Sequence, residues 1–172
     1  MKKIALLFFL SIIAVGVFAQ DSTYAKIKEP DFPFEPVLLN ADQSSIDLSR
    51  EKPEISIKQT IKVSENSYIL KSPHSSFVIH QQPIKLVVKH GQEAFGSTNP
   101  KDYYKLFKME VDEKKGTRTC RYFRTDNKNL SLPLLTVTKI RGDIYMLTLD
   151  KLEVGEYAVP AGESLYTFRI EQ

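Results

Sequence analysis

Apolar and polar residues alternate along much of this chain, and this period of two restricts its fold more than any other feature. In Glu54–Val63 the alternation sets Ile55, Ile57, Ile61 and Val63 on one face of an extended segment. That pattern predicts a strand that is buried on one face and solvated on the other. Shorter runs of the same character recur at Val37–Leu39, Ser67–Lys71, Ser76–His80, Ile84–Lys89, Leu135–Ile140, Ile144–Leu149, Tyr157–Val159 and Leu165–Ile170. Many short strands separated by turns predict an all-β sandwich or barrel.

A single segment has the signature of a helix start. Asn99 suits the N-cap, Pro100 suits the first helical position, and Asp102 falls in the first turn. The alternation resumes at Phe107. We therefore expect at most one or two helical turns in this segment.

A hairpin is expected around the turn at residues 113–116, and two registers are open. A two-residue loop would set Phe107 opposite Tyr122, which suits packing but requires two lysines with positive φ. A bulged turn with a left-handed Gly116 sets Phe107 opposite Phe123 instead. The turn chemistry favours the bulged register, which is the one we expect.

The first nineteen residues, 1–19, predict a secretory signal peptide. Two lysines at the start precede the apolar run of residues 4–17, and Val17 and Ala19 place small residues before a cleavage point. The alternative is a membrane anchor, but this run is shorter than the roughly 20 residues that a spanning helix needs. We expect cleavage, export, and no transmembrane segment in the mature chain.

The remaining chain is expected to contain one domain. Residues 20–33 are polar and proline-containing, which predicts a flexible tether, and residues 34–172 are predicted to form a single β-sandwich domain. The signal contains two of the 24 Lys+Arg and none of the 21 Asp+Glu, so little net charge is left after cleavage. A near-neutral chain lacks the accumulated basic residues of nucleic-acid-binding proteins, and we expect no nucleic-acid partner.

Cys120 is the only cysteine, so no disulfide forms within the chain. We interpret it as a buried strand residue that packs like a small apolar side chain. Two alternatives remain open at this point. A catalytic thiol would need a histidine and an orienting Asn or Asp nearby, and an intermolecular disulfide would need a partner chain.

One motif near the C-terminal end favours a sandwich over a barrel. Leu152-Glu153-Val154-Gly155-Glu156-Tyr157 has the spacing Leu-x-Pro-Gly-x-Tyr of a tyrosine corner, with Val154 in place of the usual proline. In such a corner the tyrosine hydroxyl bonds to the backbone a few residues upstream, at a crossover between the sheets of a Greek-key sandwich. The alternative is an ordinary turn before an ordinary strand. We expect the corner, with structural roles for Leu152, Gly155 and Tyr157.

The whole plan resembles a set of uncharacterised secreted bacterial β-sandwich proteins of immunoglobulin-like type. The shared features are the signal peptide, a first strand like Pro36–Leu39, a central hairpin rich in Lys and Arg, and the C-terminal third. That third is the most similar part, with Leu152–Val159 followed by a last strand at Leu165–Ile170 that contains an inward Phe168. The resemblance implies an immunoglobulin-like Greek-key fold and export, and it brings no activity with it.

The histidines offer little for catalysis or metal binding. His74, His80 and His90 show no zinc-ligand spacing, and the sequence contains no phosphate-binding glycine loop and no nucleophile elbow. We expect no catalytic residue, no metal and no cofactor. The alternative is a small secreted hydrolase whose site combines loop carboxylates with a histidine, and His80 and His90 end neighbouring predicted strands.

Acidic residues cluster at Glu110 and Asp112 on one predicted strand face. A glycosidase needs two carboxylates that face each other across a cleft. Here the neighbouring strand contains Arg118 and Arg121, so cross-strand ion pairs explain the acids better.

Basic and aromatic residues interleave in the same region and could bind an acidic glycan by charge and stacking. They are Lys101, Tyr103, Tyr104, Lys105, Phe107, Lys108, Arg118, Arg121, Tyr122 and Arg124. We interpret them first as a solvated strand face whose charges protect a sheet edge.

These observations together predict a non-enzymatic binding or interaction module of the bacterial cell envelope, periplasmic or extracellular. Its partner would be an envelope protein or a glycan, bound through loops at one end of the sandwich or by strand addition at an exposed edge.

Overall fold

The computed structural model describes Tyr24 and residues 27–61, 63–91, 100–125, 132 and 135–171. The predicted signal peptide, residues 1–19, lies outside these ranges and stays a prediction. Within the described ranges, no helix combines the length and apolar character needed to cross a membrane.

The described residues form one short helix and thirteen strands. These are β1 (Val37–Leu39), β2 (Ser45–Asp47), β3 (Ser49–Glu51), β4 (Glu54–Gln59), β5 (Ser64–Leu70), β6 (Val78–Ile79), β7 (Ile84–Lys89), α1 (Pro100–Tyr103), β8 (Phe107–Asp112), β9 (Thr117–Arg124), β10 (Leu135–Arg141), β11 (Ile144–Leu149), β12 (Gly155–Ala161) and β13 (Ser164–Ile170). The single turn of helix at Pro100 agrees with the predicted one or two turns.

Two sheets pack face to face. The five-stranded sheet has the order β10-β11-β7-β1-β2, and the eight-stranded sheet has the order β3-β13-β12-β8-β9-β5-β4, with β6 beside β13. All pairs are antiparallel except that of β6 with β13. The prediction of an all-β sandwich is confirmed.

The main core lies between the sheets. It is built from the inward side chains of both, such as Leu86 and Leu147 from the five-stranded sheet and Tyr157 and Phe168 from the eight-stranded sheet. Alternation along each strand sends every second residue into this layer. Burial of such side chains, at about 25 cal/mol per Å² of apolar area, holds the two sheets together.

The outer face of the five-stranded sheet is covered by part of the predicted tether. Ile27 is buried against Val87 and Met146, and the guanidinium of Arg141 donates to the Ile27 carbonyl at 3.0 Å. Arg141 also forms an ion pair with Glu29 at 3.4 Å. Ile27 and Glu29 of the predicted tether are thus held against the sheet.

A third group of buried residues, the satellite cluster, lies on the other face of the eight-stranded sheet. Its members are Leu70, Phe107, Met109, Cys120, Ala158 and Leu165, with Tyr68 and Tyr122 packed against them. β12 and β13 therefore contribute residues to the main core from one face and to the satellite cluster from the other.

The predicted burial of the alternating strand is wrong. In β4 the side chains of Ile55 and Ile57 are 61% and 62% exposed, and Ile61 beyond the strand is fully exposed. The reason is position, because β4 is the last strand of its sheet and lies beyond the residues of the satellite cluster. The alternation showed correctly which side chains share a face, and no other element covers that face in the described chain.

The expected register of the β8–β9 hairpin is also wrong. Asp112 lies opposite Thr117 and Glu110 opposite Thr119, which is the pairing that the alternative with a two-residue loop required. Gly116 does adopt the left-handed conformation, with φ of 63°. However, the loop contains four residues, and Asp112 accepts the backbone N–H of Lys115 at 3.1 Å. In this four-residue loop Gly116 can be left-handed without the one-residue shift between β8 and β9 that we expected.

Candidate functional site

The predicted tyrosine corner lies where the chain crosses from β11 in one sheet to β12 in the other. The Tyr157 hydroxyl donates to the Glu153 carbonyl at 2.8 Å, four residues upstream. Burial raises the pKa of Tyr157. Leu152 is buried, and its backbone N–H and carbonyl bond to the side-chain amide of Gln82 at 3.1 and 2.7 Å. The contacts of Leu152 and Tyr157 thus hold the crossover in place, and Gly155 begins the strand that follows.

A buried arginine, Arg118 of β9, lies on the same face of the eight-stranded sheet as the satellite cluster. The Arg118 side chain is 0% exposed and forms an ion pair with Glu51. It also donates to the carbonyl of Ser72 at 2.9 Å and to the hydroxyl of Thr167 at 3.2 Å. Its Nε atom lies 3.9 Å from Glu156, which is 2% exposed. We call these five residues the Arg118 cluster.

His74 connects the Arg118 cluster to the tip of the β8–β9 hairpin. Its Nδ1 atom lies 3.0 Å from Glu156, and its Nε2 atom lies 3.0 Å from Glu113. The second oxygen of Glu156 accepts the backbone N–H of Ser75 at 2.9 Å. A neutral imidazole has only one N–H, so the two contacts are both hydrogen bonds when His74 is an imidazolium or when one carboxyl is protonated.

The ring nitrogens of His74 do not have the surroundings that a general base needs. A general base must have a ring nitrogen directed at a nucleophile or a water. Both nitrogens of His74 are directed at carboxylates that belong to the fold. We therefore interpret the group as a polar support that fixes the 72–75 loop on the sheet.

The histidines named for the hydrolase alternative lie elsewhere. His80 is exposed at the end of β6. His90 packs edge-on against four aromatic rings, those of Phe34, Tyr103, Tyr104 and Tyr145. The histidine that does approach carboxylates, His74, had no such role in the sequence analysis.

The acidic residues of the central hairpin are paired across strands, as expected in part. Glu110 forms an ion pair with Arg121. Arg118, the other expected partner, is instead buried beside Glu51 and Glu156. Asp112 pairs within the turn with Lys115 at 2.8 Å, and the hydrogen bonds from Lys115 lower the pKa of Asp112.

The interleaved basic and aromatic residues do not share one exposed surface. Tyr104, Phe107 and Arg118 are all buried. The side chain of Arg124 lies outside what the structure describes.

Cys120 is buried in the satellite cluster, as we interpreted it from the sequence. Burial raises the pKa of its thiol to about 12. A nucleophilic cysteine requires the thiolate, and this thiol stays protonated at neutral pH.

A group of exposed apolar side chains lies at the β4 end of the eight-stranded sheet. Ile55 lies opposite Tyr68 of β5, and Tyr68 stacks on Tyr122 of β9 with ring centroids 4.1 Å apart. Ile57 lies opposite Asn66, which pairs in turn with Phe123, and Phe123 is exposed. We call Ile55, Ile57, Tyr68, Tyr122 and Phe123 the β4 patch.

The opposite face of the same strands is polar and concave. A groove of about 860 Å³ runs there, lined by Ser56 and Lys58 of β4, Ser67 of β5, and the Glu110–Arg121 pair. β4 therefore separates an apolar face from a polar groove, and its outer backbone edge is unpaired among the described strands.

Comparison with known proteins adds no further assignment, since no family model, no curated protein and no solved structure matches this chain.

Proposed function

We propose that this chain is an exported, non-enzymatic binding module of the bacterial cell envelope that takes up an extended polypeptide segment along β4. The observation that carries the proposal is an end strand of six residues with two isoleucines that are more than 60% exposed. An unpaired edge offers backbone N–H and C=O groups to an added strand, and alternate side chains provide selectivity.

The other end strands of the two sheets are less suitable for strand addition. β2 and β3 contain three residues each, which leaves few backbone groups to pair. β10 contains a register shift between Lys139 and Arg141, and such irregularities disfavour an added strand. β4 combines length, a regular register with β5, and apolar side chains.

The side chains around β4 suit a partner segment that is apolar on one face and polar on the other. The β4 patch would cover apolar residues of such a segment, and the groove beside Lys58 would receive its polar ones. Exposed apolar side chains that lie together in one patch are typical of protein interaction sites.

Photocrosslinking in the exporting cell tests the proposal. Ile57 is replaced by a photoreactive phenylalanine analogue, and Thr136, an exposed residue of the β10 edge, is replaced in the same way as the matched control. We expect a polypeptide adduct from position 57 and none from position 136. Adding Ile55→Lys to the Ile57 variant should remove the adduct, because a lysine at the centre of the β4 patch opposes apolar contact. No adduct at position 57, or an equal adduct at position 136, would contradict the proposal.

A further inference from the structure

We propose that the polypeptide added to β4 is the β4 strand of a second copy of this chain, in an antiparallel pair centred on Ser56. This inference rests on the proposed function, because it names the partner of the same strand edge. A two-fold axis perpendicular to the sheet places the two copies of Ser56 opposite each other. Residues equally distant from Ser56 then face each other across the axis, so Ile55 lies opposite Ile57 and Glu54 lies opposite Lys58.

The sequence of β4 matches itself in this register. It reads Glu-Ile-Ser-Ile-Lys-Gln, so the pairing forms two Ile55–Ile57 contacts and two Glu54–Lys58 ion pairs at once. A centre on Ile55 sets Glu54 opposite a serine, and a centre on Ile57 does the same to Lys58. Either shift leaves one isoleucine pair and no charge pair. Apolar and opposite-charge pairs stabilise antiparallel strands, whereas these shifts replace them with neutral polar neighbours.

The structure leaves the required side chains accessible. Ile55 and Ile57 are mostly exposed, and Lys58 is exposed beside the groove. Glu54 contacts Lys71 at 2.5 Å, but both side chains are exposed and such a surface pair contributes little. Glu54 can therefore give up its contact with Lys71 and pair with Lys58 of the second copy at little cost in free energy.

The pairing also joins features on both faces of the sheet. The β4 patches of the two copies become one continuous apolar surface, and Ile57 is covered from the side by Ile55 of the second copy. Ser56 and Lys58 line the polar groove, so the two grooves meet at the axis. The eight-stranded sheets of the two copies become one sheet with no exposed β4 edge, which removes the liability of an unpaired strand.

Charge reversal and charge exchange test the register. Sedimentation velocity of the purified chain over a concentration series should show the mass doubling as concentration rises. Lys58→Glu places two carboxylates opposite each other twice and should shift the mass doubling to much higher concentrations. Glu54→Lys combined with Lys58→Glu exchanges the charges and should restore the dimer. A monomeric wild-type chain overturns the inference, and so does a dimer that Lys58→Glu does not affect.

A disulfide test fixes the centre independently of charge. Directly opposed residues in antiparallel strands have Cα atoms about 4.5–5.5 Å apart, which lies inside the disulfide range of about 4.4–6.8 Å. Ser56→Cys should therefore form a covalent dimer under oxidised glutathione. Gln59→Cys is the matched control, since Gln59 lies opposite Pro53 in this register, makes none of the proposed contacts and should form much less covalent dimer. Equal yields overturn the register.

Sedimentation and crosslinking together distinguish a failure of self-pairing from a failure of strand addition. If the chain sediments as a monomer while position 57 crosslinks to a polypeptide of another mass, self-pairing is overturned and strand addition stands. If the chain is a monomer and position 57 gives no adduct, both proposals are overturned. An adduct of twice the chain mass supports both.

Discussion

Replacement of Arg118 by methionine should strongly destabilise the fold. The guanidinium is fully buried, forms an ion pair with Glu51 and lies 3.9 Å from Glu156. Methionine fills much of the space but carries no charge and no donor. Both carboxylates would then lose a cation from a largely water-excluded site.

The magnitude follows from what remains around those carboxylates. Removal of one partner of a buried ion pair costs about 3–5 kcal/mol. Glu156 keeps its contacts with His74 and the Ser75 N–H, and Arg169 lies 4.0 Å away. Those contacts hold the expected loss near the lower limit, at about 3 kcal/mol. For a chain of this size that loss corresponds to a fall in Tm of roughly 6–12 °C.

Urea denaturation followed by circular dichroism measures the loss, with Arg121→Met as the matched control. Arg121 lies on the same strand and pairs with Glu110, but the two side chains are 37% and 71% exposed. A pair this exposed contributes about 1 kcal/mol or less. The expected midpoint shift is therefore several times larger for Arg118→Met, with an unchanged m value. Equal shifts for the two variants would refute the assignment of a stabilising role to the buried guanidinium.

Three further perturbations have defined outcomes. Tyr157→Phe removes the hydrogen bond to Glu153 and should lower the free energy of unfolding by about 1 kcal/mol in urea titrations; no change would contradict the corner. Burial raises the pKa of Cys120 from 9.0 to about 12, so its contribution to stability is complete below pH 9 and is lost as the pH rises toward 12. Cys120→Ala should remove that part of the slope in titrations repeated across this pH range, and an unchanged slope would count against it. Gly116→Ala should lower stability by about 1 kcal/mol because φ is 63°, whereas Gly116→Asn should cost less; equal Tm values for the two variants would refute this.

The parts of the fold that the sequence predicts well are those determined by local pattern. β1, β7 and β11 have the predicted bounds because each is a short run of apolar residues between turn residues. β2 and β3 were not predicted, because Ser45–Glu51 is mostly polar. These strands form by pairing with β1 and β13.

The candidate sites are formed by contacts between residues that are far apart in the sequence, and no local pattern predicts such contacts. The Arg118 cluster joins residues from four strands and one loop, so its members could not be brought together from spacing. One signal was present, since Arg118 falls on the same strand face as Cys120 and Tyr122, where an apolar residue would be expected. The exposure of Ile55 was equally hidden, because periodicity shows which residues share a face and not whether another element covers it.

Burial of β12 and β13 on both faces has a consequence for how this chain can vary. Ala158 is buried in the satellite cluster and its neighbour Val159 in the main core, each with no exposed surface. Most surface strands accept substitutions at every second position, but here consecutive positions are both closed to polar or larger residues. A scan of single substitutions should therefore find one unbroken intolerant stretch at 156–159 and a second at 164–168, and their backbone amides should exchange hydrogen among the slowest in the molecule.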